Sequence, residues 1–187
     1  VGARLLAPDG RELGRRARPV VFTHAGISGP GAMDLSAPVA RAAGAGRARP
    51  PLTLALDLVP ARTREELREL LLAAAVASGA PLVVNVLAAA LELPRRVLEA
   101  ALAQAGAAPD ARIHTLAKPT RHALVEALKA LAVPIDGTLG FEHAEVTAGG
   151  LALSALDPRT LRVNGHAGLF AIGELLDLDG PIGGLNF

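Results

Sequence analysis

The chain contains no cysteine, no tryptophan and no tyrosine, and only four phenylalanines and one methionine. Without cysteine there are no disulfides, no thiolate metal site and no cysteine nucleophile, which fits a cytoplasmic setting. With so few aromatic rings, the core must be filled by leucine, valine and alanine, and there is no platform on which nucleobases could stack. Charge of one sign is equally scarce: 19 Lys and Arg against 18 Asp and Glu leave a formal charge of +1. An electrostatically driven nucleic-acid binder shows a basic stripe and a high pI, so no nucleic-acid partner is expected. No apolar run reaches the roughly 20 residues that a membrane helix requires, so no membrane partner is expected either. The histidines at 114, 122, 143 and 166 lack metal-ligand spacing, and no metal is expected. Val1 opens the chain without the charged and apolar regions of a signal peptide, so the chain reads as a piece of a larger protein.

What is present is apolar residues, at 51% of 187, and an alternation of strand and helix patterns. Residues 3–7, the turn Pro8, Asp9 and Gly10, and residues 11–18 read as a β-hairpin. The cluster Arg11, Arg15, Arg16 and Arg18 reads as a solvated face. Residues 20–23 form a further strand that runs into an irregular loop over 24–31, forced by three glycines and a proline. His24 and Ser28 in that loop do not make a nucleophile elbow, because Ser28 is followed directly by Gly29 and Pro30. Their expected role, with Thr23, is to satisfy backbone groups of the loop. After a linker over 41–51, residues 52–58 alternate as a half-buried strand.

Thr63 and Glu66 then make a capping box, and Leu67, Leu70, Leu71 and Ala74 recur at helical spacing until Gly79. Pro81, Pro94 and Pro119 with Thr120 each begin a further helix, running to Leu91, Gln104 and about Leu131. Strand patterns return over 137–141, 144–147, 151–153 and 160–163. The expected fold is therefore α+β, a β-sheet or barrel unit carrying an inserted helical bundle. The β unit comprises 1–60 and 133–165, the helical cap 61–132, and residues 166–187 leave it as a separate segment.

That closing segment has the sequence GLFAIGELLDLDGPIGGLNF over 168–187. Residues 169–172 read as a short buried central strand that Gly173 ends. Glu174, Asp177 and Asp179 follow with no Lys or Arg beside them in sequence. Acids so placed suit hydrogen bonds from ribose-like or ribityl hydroxyls. Gly180, Gly183, Gly184 and Asn186 suit a turn that presents amides to a ligand. The other reading of the same residues is an acidic surface turn.

Residues 168–186 resemble the C-terminal flavin motif of the NAD(P)/FAD-dependent oxidoreductases that include aminoacetone oxidase and a bile-acid dehydrosteroid reductase. The FTHAGISGP sequence at 22–30, continuing to Leu35 and Ser36, and VTAGG at 146–150 resemble two further motifs of that family, in the same order. The resemblance implies FAD as cofactor, NAD(P)H as a possible electron donor and a small-molecule substrate. It implies cofactor contacts at Gly173, Glu174, Asp177, Gly180, Gly183, Gly184 and Asn186, with the catalytic residues unknown. It further implies that the unit is inserted in a Rossmann-type FAD-binding domain, to which 166–187 return the chain. No glycine-rich dinucleotide fingerprint follows a strand here, so the pyrophosphate-binding half is expected outside these residues, and this piece alone is expected to be inactive. Ile182 and Leu185 depart from the family, which has threonine and tyrosine there. The alternative is a non-enzymatic binding module made of a β unit and a helical cap.

Overall fold

The computed structural model describes residues 1–44 and 51–184; residues 45–50 of the linker and 185–187 at the end lie outside the described residues. In chain order the elements are β1 (Gly2–Leu6), β2 (Glu12–Ala17), β3 (Val21–Thr23), β4 (Gly26–Ser28), α1 (Pro30–Met33), α2 (Ser36–Gly44) and β5 (Leu52–Asp57). They continue with α3 (Arg64–Val76), α4 (Val83–Leu91), α5 (Arg95–Gln104), α6 (Lys118–Lys129) and β6 (Leu131–Ile135). The chain divides into two compact units, Val1–Arg18 with Pro50–Asp136, and Pro19–Arg49 with Gly137–Phe187.

In the first unit the strands form one antiparallel sheet in the order β2-β1-β5-β6. The β1–β2 hairpin closes because the Asp9 carboxylate accepts the Arg11 amide at 2.9 Å and Gly10 N–H donates to Ala7 O at 2.9 Å. β1 places Ala3 and Leu5 on a buried face, and β5 adds Leu54 and Leu56. β6 is a strand that starts where the fourth helix was expected to end, at about Leu131, and before the strand patterns expected from residue 137. Pro134 argues against a strand, but β6 pairs only with β5, and an edge strand tolerates a residue without an N–H donor.

The four expected helices are present. Thr63 caps α3 as a full capping box: its N–H donates to Glu66 Oε2 at 2.6 Å, and Glu66 N–H donates back to Thr63 Oγ1 at 3.2 Å. α4 begins at Val83 rather than Pro81, because residues 81–83 first pair with 111–113 in extended form: Ile113 N–H donates to Pro81 O at 3.0 Å and Val83 N–H to Ala111 O at 2.9 Å. Leu67 and Leu71 of α3, Leu87 of α4, Leu98 and Leu102 of α5, and Leu124 and Leu128 of α6 are all fully buried with Leu5 and Leu56 of the sheet. Burial of each such side chain contributes about 1.5–3 kcal/mol, so this aliphatic core holds the unit together without aromatic rings.

The cap gives a direct test. Thr63→Ala is expected to cost about 1 kcal/mol of stability, read as a lower urea midpoint. The N–H of Thr63, and then its hydroxyl, hold the Glu66 carboxyl below its usual range. A carboxyl depressed in the folded state stabilises above its ordinary pKa, so the contribution of Glu66 should be lost as pH falls through the lowered folded value. A midpoint unchanged by the substitution would show that α3 does not depend on its cap.

In the second unit, residues 24–31 are ordered rather than an irregular loop. Thr23 Oγ1 accepts the Ala25 N–H at 3.2 Å and donates to Gly26 O at 3.0 Å, closing a β3–β4 hairpin, and Pro30 then starts α1. Residues 137–147 carry no strand; residues 141–143 form a 3-10 turn instead. The buried strand expected over 169–172 is also absent among the described residues. Leu169, Phe170 and Ile172 are more than half exposed, and only Ala171 is buried. That apolar run meets single bridges and turns instead of a neighbouring strand, so it has no sheet to be buried in. The core here is small, made of Leu156, Val163, Ala171 and Leu176 with Leu151 against it. Residues 137–165 lie in one compact unit together with 19–44 of the first 60 and with 166–184.

Candidate cofactor site

The three sequence motifs are far apart in the chain, yet all fall in the second unit. The closing segment is gripped first by the residues after VTAGG. Leu151 N–H donates to Leu175 O at 2.8 Å, and Asp177 N–H donates to Leu151 O at 2.9 Å, as in a single step of parallel sheet. Gly150 permits this approach: a Cβ there would lie 2.7 Å from Leu175 O and 2.8 Å from the carbonyl carbon of Leu176. The second grip comes from the region after FTHAGISGP. Asp34, between α1 and α2, accepts the Ile182 N–H on Oδ1 at 2.8 Å, and Arg41 Nη2 of α2 lies 3.8 Å from Asp179 Oδ1.

Between those grips stand most of the expected site residues. Gly173 and Glu174 lie in a 3-10 turn over Gly173–Leu175 rather than at the end of a strand. Glu174 and Asp177 are exposed, and neither carboxylate has a hydrogen-bond or ion-pair partner among the described residues. Asp179 differs, since Arg41 pairs with it. Gly180 is half-buried, and Gly183 and Gly184 follow with φ of 132° and 91°. Asn186 lies outside the described residues. Exposed carboxylates without a protein partner are hydrogen-bond acceptors, suited to hydroxyl donors such as those of a ribityl chain or ribose.

Asp34 and Leu151, which fix the segment in place, were not singled out from the sequence. Asp34 stands between two matched pieces of one motif, and a lone acid in that otherwise apolar and small-residue stretch was the available signal. His24 is exposed in the β3–β4 turn, and Ser28 Oγ lies 3.8 Å from Met33 Sδ, so no nucleophile and base pair is assembled. Among the described residues no group of three or more histidines and carboxylates could hold a metal ion. None of the described helices is long and apolar enough to cross a membrane. Large apolar side chains stay exposed across the unit, including Phe22, Leu153, Phe170, Ile172 and Leu175, as on surfaces that pack against something else.

Residues 4–146 match the family described as HI0933-like protein barrel and H2TH domain. The chain is 32% identical over 168 residues to the ribosomal RNA dihydrouridine synthase of Escherichia coli (strain K12), covering 90% of this chain and 38% of the relative. It is 30% identical over 169 residues to the Haemophilus influenzae (strain Rd) protein of the same name, again covering 90% of this chain and 38% of the relative. It is also 41% identical over 63 residues to the 3-dehydro-bile acid delta(4,6)-reductase of Clostridium scindens, covering 34% of this chain and 15% of the relative. The chain thus spans 38% of the length of the first two relatives.

Proposed function

The chain belongs to the HI0933-like protein barrel and H2TH domain family, and on that premise we propose that it is part of an FAD-dependent oxidoreductase that saturates a carbon–carbon double bond, with uridine in ribosomal RNA as substrate. The relatives named for dihydrouridine synthesis and for bile-acid reduction share one chemistry. In each, the reduced double bond is conjugated to a carbonyl, so a hydride can add to the far carbon and a proton to the near one. FAD, if bound and reduced, would supply that hydride, with Glu174 and Asp177 accepting hydrogen bonds from its hydroxyls.

RNA takes precedence over a small-molecule substrate because the rRNA-named relatives align over 168 and 169 residues, against 63 for the bile-acid reductase. The lack of net charge and of aromatic platforms weighed against nucleic acid in the sequence, but both are properties of the chain's total composition and leave room for a local cationic surface. A ribosomal RNA substrate implies a cytoplasmic site of action.

This chain's own part is to bind and position. The observation that carries the reading is the convergence of all three flavin-like motifs on one segment whose two carboxylates have no partner among the described residues. Glu174 and Asp177 accept hydrogen bonds from cofactor hydroxyls, while Asp34, Arg41 and Leu151 hold the segment that bears them. Exposed apolar side chains around Phe170 and Leu175 are covered by the remainder of the enzyme, which excludes water from the cofactor.

Losing a hydrogen bond to a charged acceptor costs about 1.5–3 kcal/mol. Glu174→Ala or Asp177→Ala in the complete enzyme should therefore weaken FAD binding roughly tenfold or more, measured by flavin fluorescence titration of the apoprotein. Unchanged affinity in both variants would reduce these acids to a surface turn and remove the main support for a flavin site here.

A further inference from the structure

We infer that a cleft between α3 and α6, in the first unit and outside the candidate cofactor site, is a docking subsite for single-stranded RNA that takes one pyrimidine base with phosphates at its rim. The inference rests on the reading of RNA as substrate. The cleft has a volume of about 160 Å³. Its apolar wall is Leu71, Leu72 and Val125, and its remaining lining is Arg68, Lys118, Arg121 and His122, with no acid among them.

Size fixes the class of occupant. A volume of about 150 Å³ suffices for benzene, so this half-open cleft seats one six-membered ring and leaves the rest of its occupant at the rim. An apolar wall with guanidinium groups at its edge is also how unstacked bases are held where aromatic side chains are lacking, because an arginine plane can stack on a base. That matters here, since the chain has so few aromatic residues.

Charge fixes the partner. The two arginines are already engaged by protein, Arg68 with Glu65 at 2.9 Å and Arg121 with Leu116 O at 2.6 Å, which holds their side chains in place beside the cleft. Lys118 is exposed with no such bond among the described residues and so is available to a phosphate, while His122, also exposed, lies beside the Glu126 carboxylate on the same helix. Lys118 is also the first residue of α6. That helix has Ala117 at its N-cap, no side chain capping it and no acid in its first turn, leaving its positive end uncompensated. A cationic rim, an uncapped helix start and a ring-sized apolar slot converge at one place. An RNA strand offers the matching set of phosphates and a ring.

The test measures binding of a labelled five-nucleotide oligouridine to the complete enzyme by fluorescence anisotropy, alongside flavin content and flavin reduction by NAD(P)H. Lys118→Gln with His122→Gln should weaken binding roughly tenfold. The slope of log affinity against log salt should fall by about 0.7 for each phosphate that is no longer neutralised. Leu72→Ser, a neutral change at the exposed apolar lip, should weaken binding without changing that slope, and oligoadenosine should bind less tightly than oligouridine. Both substitutions lie on exposed positions, and circular dichroism verifies that the fold is kept. If flavin is retained and reduced and RNA binds, but none of the substitutions matters, the subsite is refuted while the enzyme reading stands. If no RNA binds at all, the RNA substrate falls with it. Equal binding of heparin and oligouridine, with Leu72→Ser silent, would make the rim a general anion surface and overturn the base slot. Competition by a steroid carboxylate in place of RNA would assign the cleft to a small amphipathic anion and also overturn it.

Discussion

Replacing Gly150 by alanine is expected to separate the closing segment from its main support and to cost the second unit about 3 kcal/mol. Two effects add. Gly150 has φ of +139°, where an L side chain is strained by about 1–3 kcal/mol. The new Cβ would also fall 2.7 Å from Leu175 O, 2.8 Å from the Leu176 carbonyl carbon and 3.0 Å from Asp177 N. All three are backbone atoms, which have no alternative rotamer, so the two segments must move apart. The bonds that join them, Leu151 N–H to Leu175 O and Asp177 N–H to Leu151 O, would then break. Hydrogen exchange reads this directly: the Leu151 and Asp177 amides should exchange about 100-fold faster, at 1.36 kcal/mol per decade. The Leu58 amide, bonded to Leu128 O in the first unit, should be unaffected. In the complete enzyme the same substitution should weaken FAD binding at least as much as losing Asp177, because it displaces the backbone that carries that residue. Unchanged protection at Leu151 and Asp177 would mean that the close approach is not what holds the segment.

The sequence made the first unit legible, and its physics explains why. α3, α5 and α6 have strong local signals, namely a capping box, a proline at or just before the first turn and leucines at helical spacing, and each formed within about two residues of its expected limits. The β1–β2 hairpin was equally plain, because Pro8, Asp9 and Gly10 are turn residues between two short runs. β6 was not, since Pro134 hides a strand unless its place at the sheet edge is known, and that place is set by pairing with residues some 80 positions earlier. The second unit was the least legible. Its apolar runs at 137–141 and 169–172 have the composition of strands, but β-propensity expresses fit to a neighbouring strand, and none lies beside them among the described residues. The site was half legible. Glu174, Asp177 and the glycines of the candidate site were expected from composition and resemblance. The contacts of Asp34 with Ile182 and of Arg41 with Asp179 are products of tertiary folding that no local pattern announces.

Lys129→Met is expected to destabilise the first unit by about 3 kcal/mol, the low end for breaking a buried ion pair. Lys129 ends α6, and its ammonium lies 2.7 Å from Asp57 Oδ2 at the end of β5. It also donates to Val59 O at 3.1 Å and to Arg62 O at 2.8 Å, in the loop that leads to the cap of α3. One cation thus ties the end of a helix to the end of a central strand and to the start of the next helix. The Lys129 side chain is only 10% exposed and that of Asp57 28%, so water cannot replace the missing donor fully. Methionine keeps the volume of the aliphatic stem but leaves a carboxylate and two carbonyls without the shared donor. If the stranded carboxylate is the main cost, adding Asp57→Asn to Lys129→Met should restore part of the stability, because an amide needs no counter-charge and its oxygen can still accept the Val59 N–H, now 3.1 Å from Asp57 Oδ1. Urea midpoints of the two single variants, the double variant and the parent complete the cycle. A double variant less stable than the sum of the singles would place the cost in the loop carbonyls instead. A Lys129→Met variant within about 0.5 kcal/mol of the parent would show that this ammonium contributes no more than an ordinary surface charge.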